Sequence, residues 1–286
     1  RKMTTTPARA PLPAEEEEEE EREADGTLDA AFTTAVNGEV RTLAATADGK
    51  ILLGGTFTTV SNTGRASVAR LNADGTVDAA YAPNVIDGVV LALALQSDGR
   101  LVVGGSFKGI QSAGDATWTL RKYAARLGTD GKLDLTFNLD LSEANGNRVD
   151  SLALQSIVTA GVTEQKILLG GSFVSLAPIG ATAVIPANHY VRINANGTLD
   201  RAFSPGTGGA SGGVIAAMAL QSDGKIVAVG AFADIGGTRT TNVARFNAEG
   251  ASFPFGAHVA VVEVDTETGK VRHLRHVASL SCAVAT

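Results

Sequence analysis

At 286 residues, 44% hydrophobic and 19% charged, the chain can build a sizeable core, which excludes wholesale disorder. One cysteine and four histidines exclude a disulfide framework and a multi-cysteine metal site, and no uncharged apolar run approaches the roughly 18 residues of a membrane span. The net charge of −6 sits mostly in one N-terminal run, so the body is nearly neutral and lacks the basic field that attracts nucleic acid or anionic lipid.

The chain begins Arg1-Lys2-Met3 with no apolar h-region after it, so no signal peptide is read there. Seven consecutive glutamates, Glu15–Glu21, are followed by Glu23. Their mutual repulsion, with nothing apolar to bury, makes residues 1–23 a disordered acidic tail.

From Ala24 to Gly250 one unit repeats. Asp25-Gly26-Thr27-Leu28-Asp29-Ala30-Ala31-Phe32 returns as Asp74–Tyr81, Asp130–Phe137 and Asn196–Phe203. Between these lie Ile51-Leu52-Leu53-Gly54-Gly55-Thr56-Phe57 and its counterparts ending in Phe107, Phe173 and Phe232. Asp48-Gly49, Asp98-Gly99 and Asp223-Gly224 each separate two short apolar runs, a strong hairpin signal because glycine supplies the positive φ of the turn. In the third copy this turn gives way to a longer loop, Ser156–Gln165. The Gly-Gly pairs predict a bulge or a close backbone approach. A period then holds four strands, Val40–Thr46, Lys50–Phe57, Ala66–Asn72 and Thr76–Ala82 in the first copy. Periods of 49, 56, 66 and 53 residues suit propeller blades, each sheet burying its faces against its neighbours. The fold class is all-β: a β-propeller of four four-stranded blades over 24–250. Because the periods are cut in mid-blade, the N-terminal strand Thr27–Thr33 is expected to pair beside Arg245 and close the ring, leaving no open sheet edge.

The string Ser97-Asp98-Gly99-Arg100-Leu101-Val102-Val103-Gly104-Gly105-Ser106-Phe107, with Val68-Ala69-Arg70-Leu71-Asn72-Ala73-Asp74-Gly75, resembles the delta-60 repeat over residues 24–250. That resemblance implies a β-propeller of unknown function in a bacterial surface or secreted protein, and it carries over no catalytic residue.

Residues 251–286 leave the repeat. Phe255–Asp265 and Lys270–Val277 flank Thr266-Glu267-Thr268-Gly269 and predict a C-terminal β-hairpin. The stretch 253–282 also looks like a short segment of a molybdenum-hydroxylase large subunit, as in xanthine or carbon monoxide dehydrogenase. It covers too little of such a subunit for a molybdopterin site, and Ser279–Ala283 replaces the residues expected around Cys282.

Arg70, Arg126 and Arg192 each precede an aspartate by eight residues (Asp78, Asp134, Asp200), and Arg245 occupies the same register. Recurrence in every copy argues for ion pairs that brace each turn. The oxygen-rich run Asn72–Asp78 resembles half of a calcium loop, but it lacks the closing glutamate, and Asx-turn chemistry explains the same residues. No metal ligands, no cofactor and no catalytic residue are assigned.

Function is sought where the copies differ. From each Gly-Gly aromatic to the next arginine the spacing is 13, 19, 19 and 13 residues, so two adjacent copies carry loops six residues longer, at 108–123 and 174–190. The first holds Lys108, the sole tryptophan Trp118, Arg121 and Lys122; the second holds His189. These five are the candidate binding residues, a Trp beside cations being a plausible hot spot. The leading expectation is a non-catalytic structural or interaction module with a protein or glycan partner, without nucleic acid or membrane insertion. The alternatives are a glycan- or peptide-binding propeller acting through those loops, a propeller glycosidase or lyase, and last a molybdenum-hydroxylase fragment. The sequence assigns no oligomeric state.

Overall fold

The structure, a computed structural model, describes residues 28–141, 147–159, 161–177, 183–203, 210–211, 213–247, 258–264 and 271–278. The acidic tail lies outside them. The chain divides into two units, 1–33 and 34–286. Every regular element among the described residues is a β-strand.

In the first unit, residues 28–33 form a turn. The Phe32 N–H donates to the Asp29 carbonyl at 3.2 Å, and the Asp29 carboxylate accepts from the Ala31 N–H at 2.9 Å. The strand expected at Thr27–Thr33 is therefore not formed over 28–33. An aspartate side chain that captures the N–H two residues on curls the backbone instead of extending it. The same correction applies to the expected fourth strand of each repeat. Val77, Leu133 and Leu199 make single bridges to Leu71, Leu127 and Ile193, and the chain then turns at Asp78, Asp134 and Asp200.

The second unit holds four three-stranded antiparallel sheets of one design, the middle strand of each lying between the other two. The first sheet comprises Val40–Ala45, Ile51–Gly55 and Val68–Leu71; the second comprises Val90–Leu95, Leu101–Gly105 and Ala124–Leu127. The third has Val149–Thr159, Val162–Gly171 and Tyr190–Asn194, and the fourth Val214–Leu220, Ile226–Ala231 and Val243–Phe246. The Asp-Gly hairpins form as the sequence predicts, with φ of 79°, 82° and 79° at Gly49, Gly99 and Gly224. In the third repeat, however, 156–165 is no loop. The two strands run on, pairing Ser156 with Gln165 and Thr159 with Val162, because β-branched residues at 157–159 and 162–163 suit an extended ladder.

Each meander bends partway along and continues into a smaller sheet. In the second repeat the smaller sheet is Asn84–Ile86, Gly109–Gln111 and Thr119–Leu120; in the third, Asp140–Leu141, Ser175–Ala177 and Ile185–Pro186. The fourth has Ala210–Ser211, Asp234–Ile235 and Thr238–Arg239, and the first has the hairpin Thr59–Val60 and Thr63–Gly64. The long segments 108–123 and 174–190 thus contain hairpins present in every repeat, and in the second repeat the additional residues lengthen the connection 112–118 between its strands.

One backbone device makes the bend. Ser67, Tyr123, His189 and Asn242 adopt φ of 62°, 66°, 80° and 65°. Their N–H groups donate to the carbonyls of Phe57, Phe107, Phe173 and Phe232 at 2.8–3.1 Å, and their own carbonyls accept from Gly55, Gly105, Gly171 and Gly230. Opposite each of these glycines the first strand bulges, between Val40 and Thr42, Val90 and Ala92, Val149 and Ser151, and Ile215 and Ala217. A Cβ at Gly55 would lie 1.9 Å from the Glu39 carbonyl oxygen, and one at Gly105 equally close to that of Val89. Only glycine fits there.

The other glycine of each pair makes room for the next repeat. A Cβ at Gly54 would lie 2.6 Å from Val90 Cγ1, one at Gly104 2.6 Å from Val149 Cγ1, and one at Gly170 2.7 Å from Ile215 Cγ2. The cores accordingly span junctions: Leu52 and Val68 of the first repeat pack with Val90, Phe107 and Leu127 of the second. Phe57, Phe107, Phe173 and Phe232 are all buried, as expected of the core filling. In the fourth repeat this register holds Val229, which is 38% exposed, and Val243 is 56% exposed where Val68 is fully buried. At the opposite end Val40 and Leu43 are also exposed. The predicted C-terminal hairpin pairs His258–Val264 with Val271–Ala278; Cys282 lies outside the described residues.

Candidate functional site

The repeated arginines build the largest polar clusters. Arg70 Nε donates to Asp78 Oδ2 at 2.9 Å, Arg126 Nη2 reaches Asp134 Oδ2 at 2.8 Å, and Arg192 Nε reaches Asp200 Oδ2 at 2.7 Å. Each guanidinium also lies over the aromatic ring three residues beyond that aspartate, 4.2 Å from the Tyr81 centroid, 4.7 Å from Phe137 and 4.4 Å from Phe203. Two of them reach into the following repeat, where the Arg70 and Arg126 Nη1 groups donate to the carbonyls of Thr129 and Ala195. Gln96 and Gln155 accept from Arg126 and Arg192. Burial raises the pKa of Asp78, but hydrogen bonds from Lys50 and Arg70 and the charge of Arg70 outweigh it, holding the carboxyl at about 2. Asp134 is held at about 2 as well: hydrogen bonds from Thr136 and Arg126 overcome its desolvation. These clusters brace turns, as the eight-residue spacing suggests.

The calcium-like runs are also turns. Asp74 Oδ1 accepts from the Thr76 N–H and hydroxyl at 2.9 and 2.6 Å, and Asn196 Oδ1 accepts the same pair from Thr198 at 3.0 and 2.7 Å. No cluster of metal-ligating side chains occurs among the described residues.

The five candidate binding residues part company. Trp118 is 51% exposed, its ring packed so closely on Gly109 that a Cβ there would lie 2.3 Å from Trp118 Cε3. Leu120, on the same hairpin, is 53% exposed. Lys108 lies at the base of this hairpin and pairs with Asp87 at 2.5 Å, both side chains being largely exposed. Lys122 is half-buried. Arg121 is buried; its Nη1 donates to the Leu120 carbonyl at 2.8 Å and its Nη2 to that of Leu135 at 3.4 Å, and burial lowers its pKa. Arg65 does the same in the first repeat, donating to the carbonyls of Gly64, Asp78 and Ala79. His189 occupies the bend position of the third repeat. Burial lowers its pKa, partly offset by the backbone of Gly171 and Ser172, and its buried Nδ1 has no hydrogen-bond partner. Its backbone bonds run to Phe173 and Gly171. The hairpin therefore groups Lys108, Trp118 and Leu120, while Arg121 and His189 occupy positions that hold the repeat together. Aligning Arg65-Ala66-Ser67 with Arg121-Lys122-Tyr123 would have revealed this for Arg121. Leu120 was missed because an exposed apolar residue in a short strand gives no sequence signal.

The most deeply buried arginines, aspartates and glutamines follow the repeat. Arg65 and Arg121 are equivalent to each other, as are Arg126 and Arg192, Asp78 and Asp200, and Gln96 and Gln155.

Four segments, residues 46–81, 96–137, 166–203 and 221–251, together just over half of the chain, match the family described as a domain of unknown function (DUF5122) beta-propeller. No curated protein matches the chain. Among solved structures it is similar to a protein of unknown function from Bacteroides caccae, at 12% identity and a TM-score of 0.27, covering 75% of this chain and 80% of that one.

Proposed function

The chain belongs to the DUF5122 beta-propeller family, and on that premise we propose that it is a non-catalytic interaction module of a bacterial surface or secreted protein. It engages a protein or glycan partner through the Lys108–Trp118–Leu120 hairpin. The observation that carries this reading is the exposure of Trp118 and Leu120, two residues apart on one of the two lengthened hairpins, with the exposed Lys108–Asp87 ion pair at the base of that hairpin. An apolar pair rimmed by charge is the composition of a binding hot spot. A structural role for the buried ion pairs is supported by their recurrence from repeat to repeat, where an active site would be a single constellation; Asp150, whose buried Oδ2 has no hydrogen-bond partner, is the exception.

The four repeats serve as blades, and the ring closes by bringing the exposed Val40 and Leu43 against Val229 and Val243. Two apolar flanks at opposite ends of one array support that closure. The closing junction differs from the internal three in carrying Val229 where they carry glycine.

The test is a glycan array, with a peptide array beside it, probed with the full chain and with Trp118→Ala. A specific hit lost in the variant, with the melting curve unchanged, supports the hairpin as the site. Arrays on which every hit survives the substitution, or turnover of nitrophenyl glycosides by the wild-type chain, overturn the proposal.

A further inference from the structure

In the first, second and fourth repeats the hairpin between the first two strands closes at an Asp-Gly turn. In the third the same two strands run on as a ribbon, 156–159 pairing with 162–165. Val158 and Val162 are exposed on it, so the extension adds little to the core. The third strand of the sheet stops at Asn194, opposite Lys166, and among the described residues no strand pairs with 162–165 on that side. The ribbon therefore presents an open edge of four residues, about 14 Å long. Proteins ordinarily blunt such an edge with a proline or a bulge, because its unpaired N–H and C=O groups template another strand. Residues 162–165 carry neither. Val162 and Thr163, opposite Thr159 and Val158, are β-branched and hold the edge extended before any partner arrives.

The base of the ribbon is held from two sides. Gln165 Oε1 accepts from the Ser97 N–H of the second repeat at 3.4 Å, and Gln155 Nε2 donates to the Gly224 carbonyl of the fourth at 2.8 Å. Residues 163–166 form one wall of an open cleft of about 710 Å³, completed by 194–196 and by 96–98 of the second repeat. An edge of backbone donors and acceptors selects its partner by backbone, which makes the occupant an extended polypeptide. Charge narrows it further. Asp98 and Glu164 line the cleft with well-exposed carboxylates, and Arg100, the partner of Asp98, lies outside the lining. The cation in the lining, Lys166, is 12% exposed and bound to Glu164 and Asn194 at 2.7 Å.

We propose that this ribbon is a strand-addition site, at which an extended peptide segment carrying lysine or arginine pairs with 162–165 along the cleft. It is separate from the Trp118 hairpin of the second repeat.

The test is fluorescence anisotropy of a labelled, amidated octapeptide of alternating threonine and lysine, titrated with the full chain. Saturable binding is expected, and the counterpart with glutamate in place of lysine should not bind. The lysine peptide N-methylated throughout keeps its charge but cannot donate to an edge, and it should bind at least about tenfold more weakly. Glu164→Gln should weaken the lysine peptide about threefold, as for an exposed ion pair. Alternate amides of 162–165 should gain protection from hydrogen exchange when the peptide is bound. Trp118→Ala should bind the peptide unchanged, which separates this site from the hairpin. The proposal fails if the lysine peptide does not saturate, if the glutamate or the methylated peptide binds equally well, if Glu164→Gln binds as the wild type does, or if no amide of 162–165 gains protection.

Discussion

Replacing Gly104 by alanine probes how one repeat seats on the next. The added methyl would lie 2.6 Å from Val149 Cγ1, 3.1 Å from Val149 Cβ and 3.3 Å from Leu152 Cδ1, all in the first strand of the third repeat. Val149 is fully buried, so it can yield only by moving the strand. Overpacking of this kind costs about 1–3 kcal/mol. Intrinsic backbone preference runs the other way, since alanine within a strand is favoured over glycine by roughly 0.5–1 kcal/mol. A net loss therefore reports crowding. In a body of this size each kcal/mol lowers the melting temperature by roughly 2–4 °C. Urea titration followed by circular dichroism, with the m-value unchanged, would measure the effect. Gly64→Ala is the matched control: its added methyl meets no atom within 4 Å on the short strand Thr63–Gly64, and it should stay within about 0.5 kcal/mol of wild type. A Gly104→Ala chain as stable as wild type, or more so, would refute the packing argument.

Acid sensitivity follows from Asp78 and Asp134. Their folded pKa of about 2 lies below the ordinary 3.8, so their contribution is complete above about pH 4 and is lost as the pH falls toward 2. The stability gap between wild type and Asp78→Asn/Asp134→Asn should accordingly shrink between pH 4 and 2 in urea titrations; a gap constant with pH would contradict this. Arg192, 2% exposed and paired with an equally sheltered Asp200, should be costly to remove alone, about 3–5 kcal/mol for Arg192→Met. Arg192→Met/Asp200→Leu should recover much of that loss, and additive losses would argue against a coupled pair.

The parts of the fold legible in the sequence are those that recur with fixed chemistry. Asp-Gly turns require positive φ, the Gly-Gly pairs mark a bulge and a close approach, and the Arg70–Asp78 spacing places two charges across one hairpin. All three read correctly because each constrains the backbone locally. Strand ends read less well. Thr76–Ala82 alternates like a strand, yet Asp78 holds the Ala80 N–H at 3.1 Å and turns the chain after a single bridge. Residues 156–165 lack a turn dipeptide at the expected place and so resemble a loop, although their β-branched residues extend the ladder. The bend that divides each meander was invisible, since Ser67, Tyr123, His189 and Asn242 share a φ and no side-chain chemistry. The same blindness placed His189 among the candidate binding residues.

The second, third and fourth repeats each lay their first strand on a glycine of the repeat before, and the rest of the architecture depends on that seating. Nuclear Overhauser contacts in the intact chain test it most directly. Strong cross-peaks are expected from the α-protons of Gly54, Gly104 and Gly170 to the methyl groups of Val90, Val149 and Ile215, respectively. Well-resolved glycine signals without those cross-peaks would contradict it.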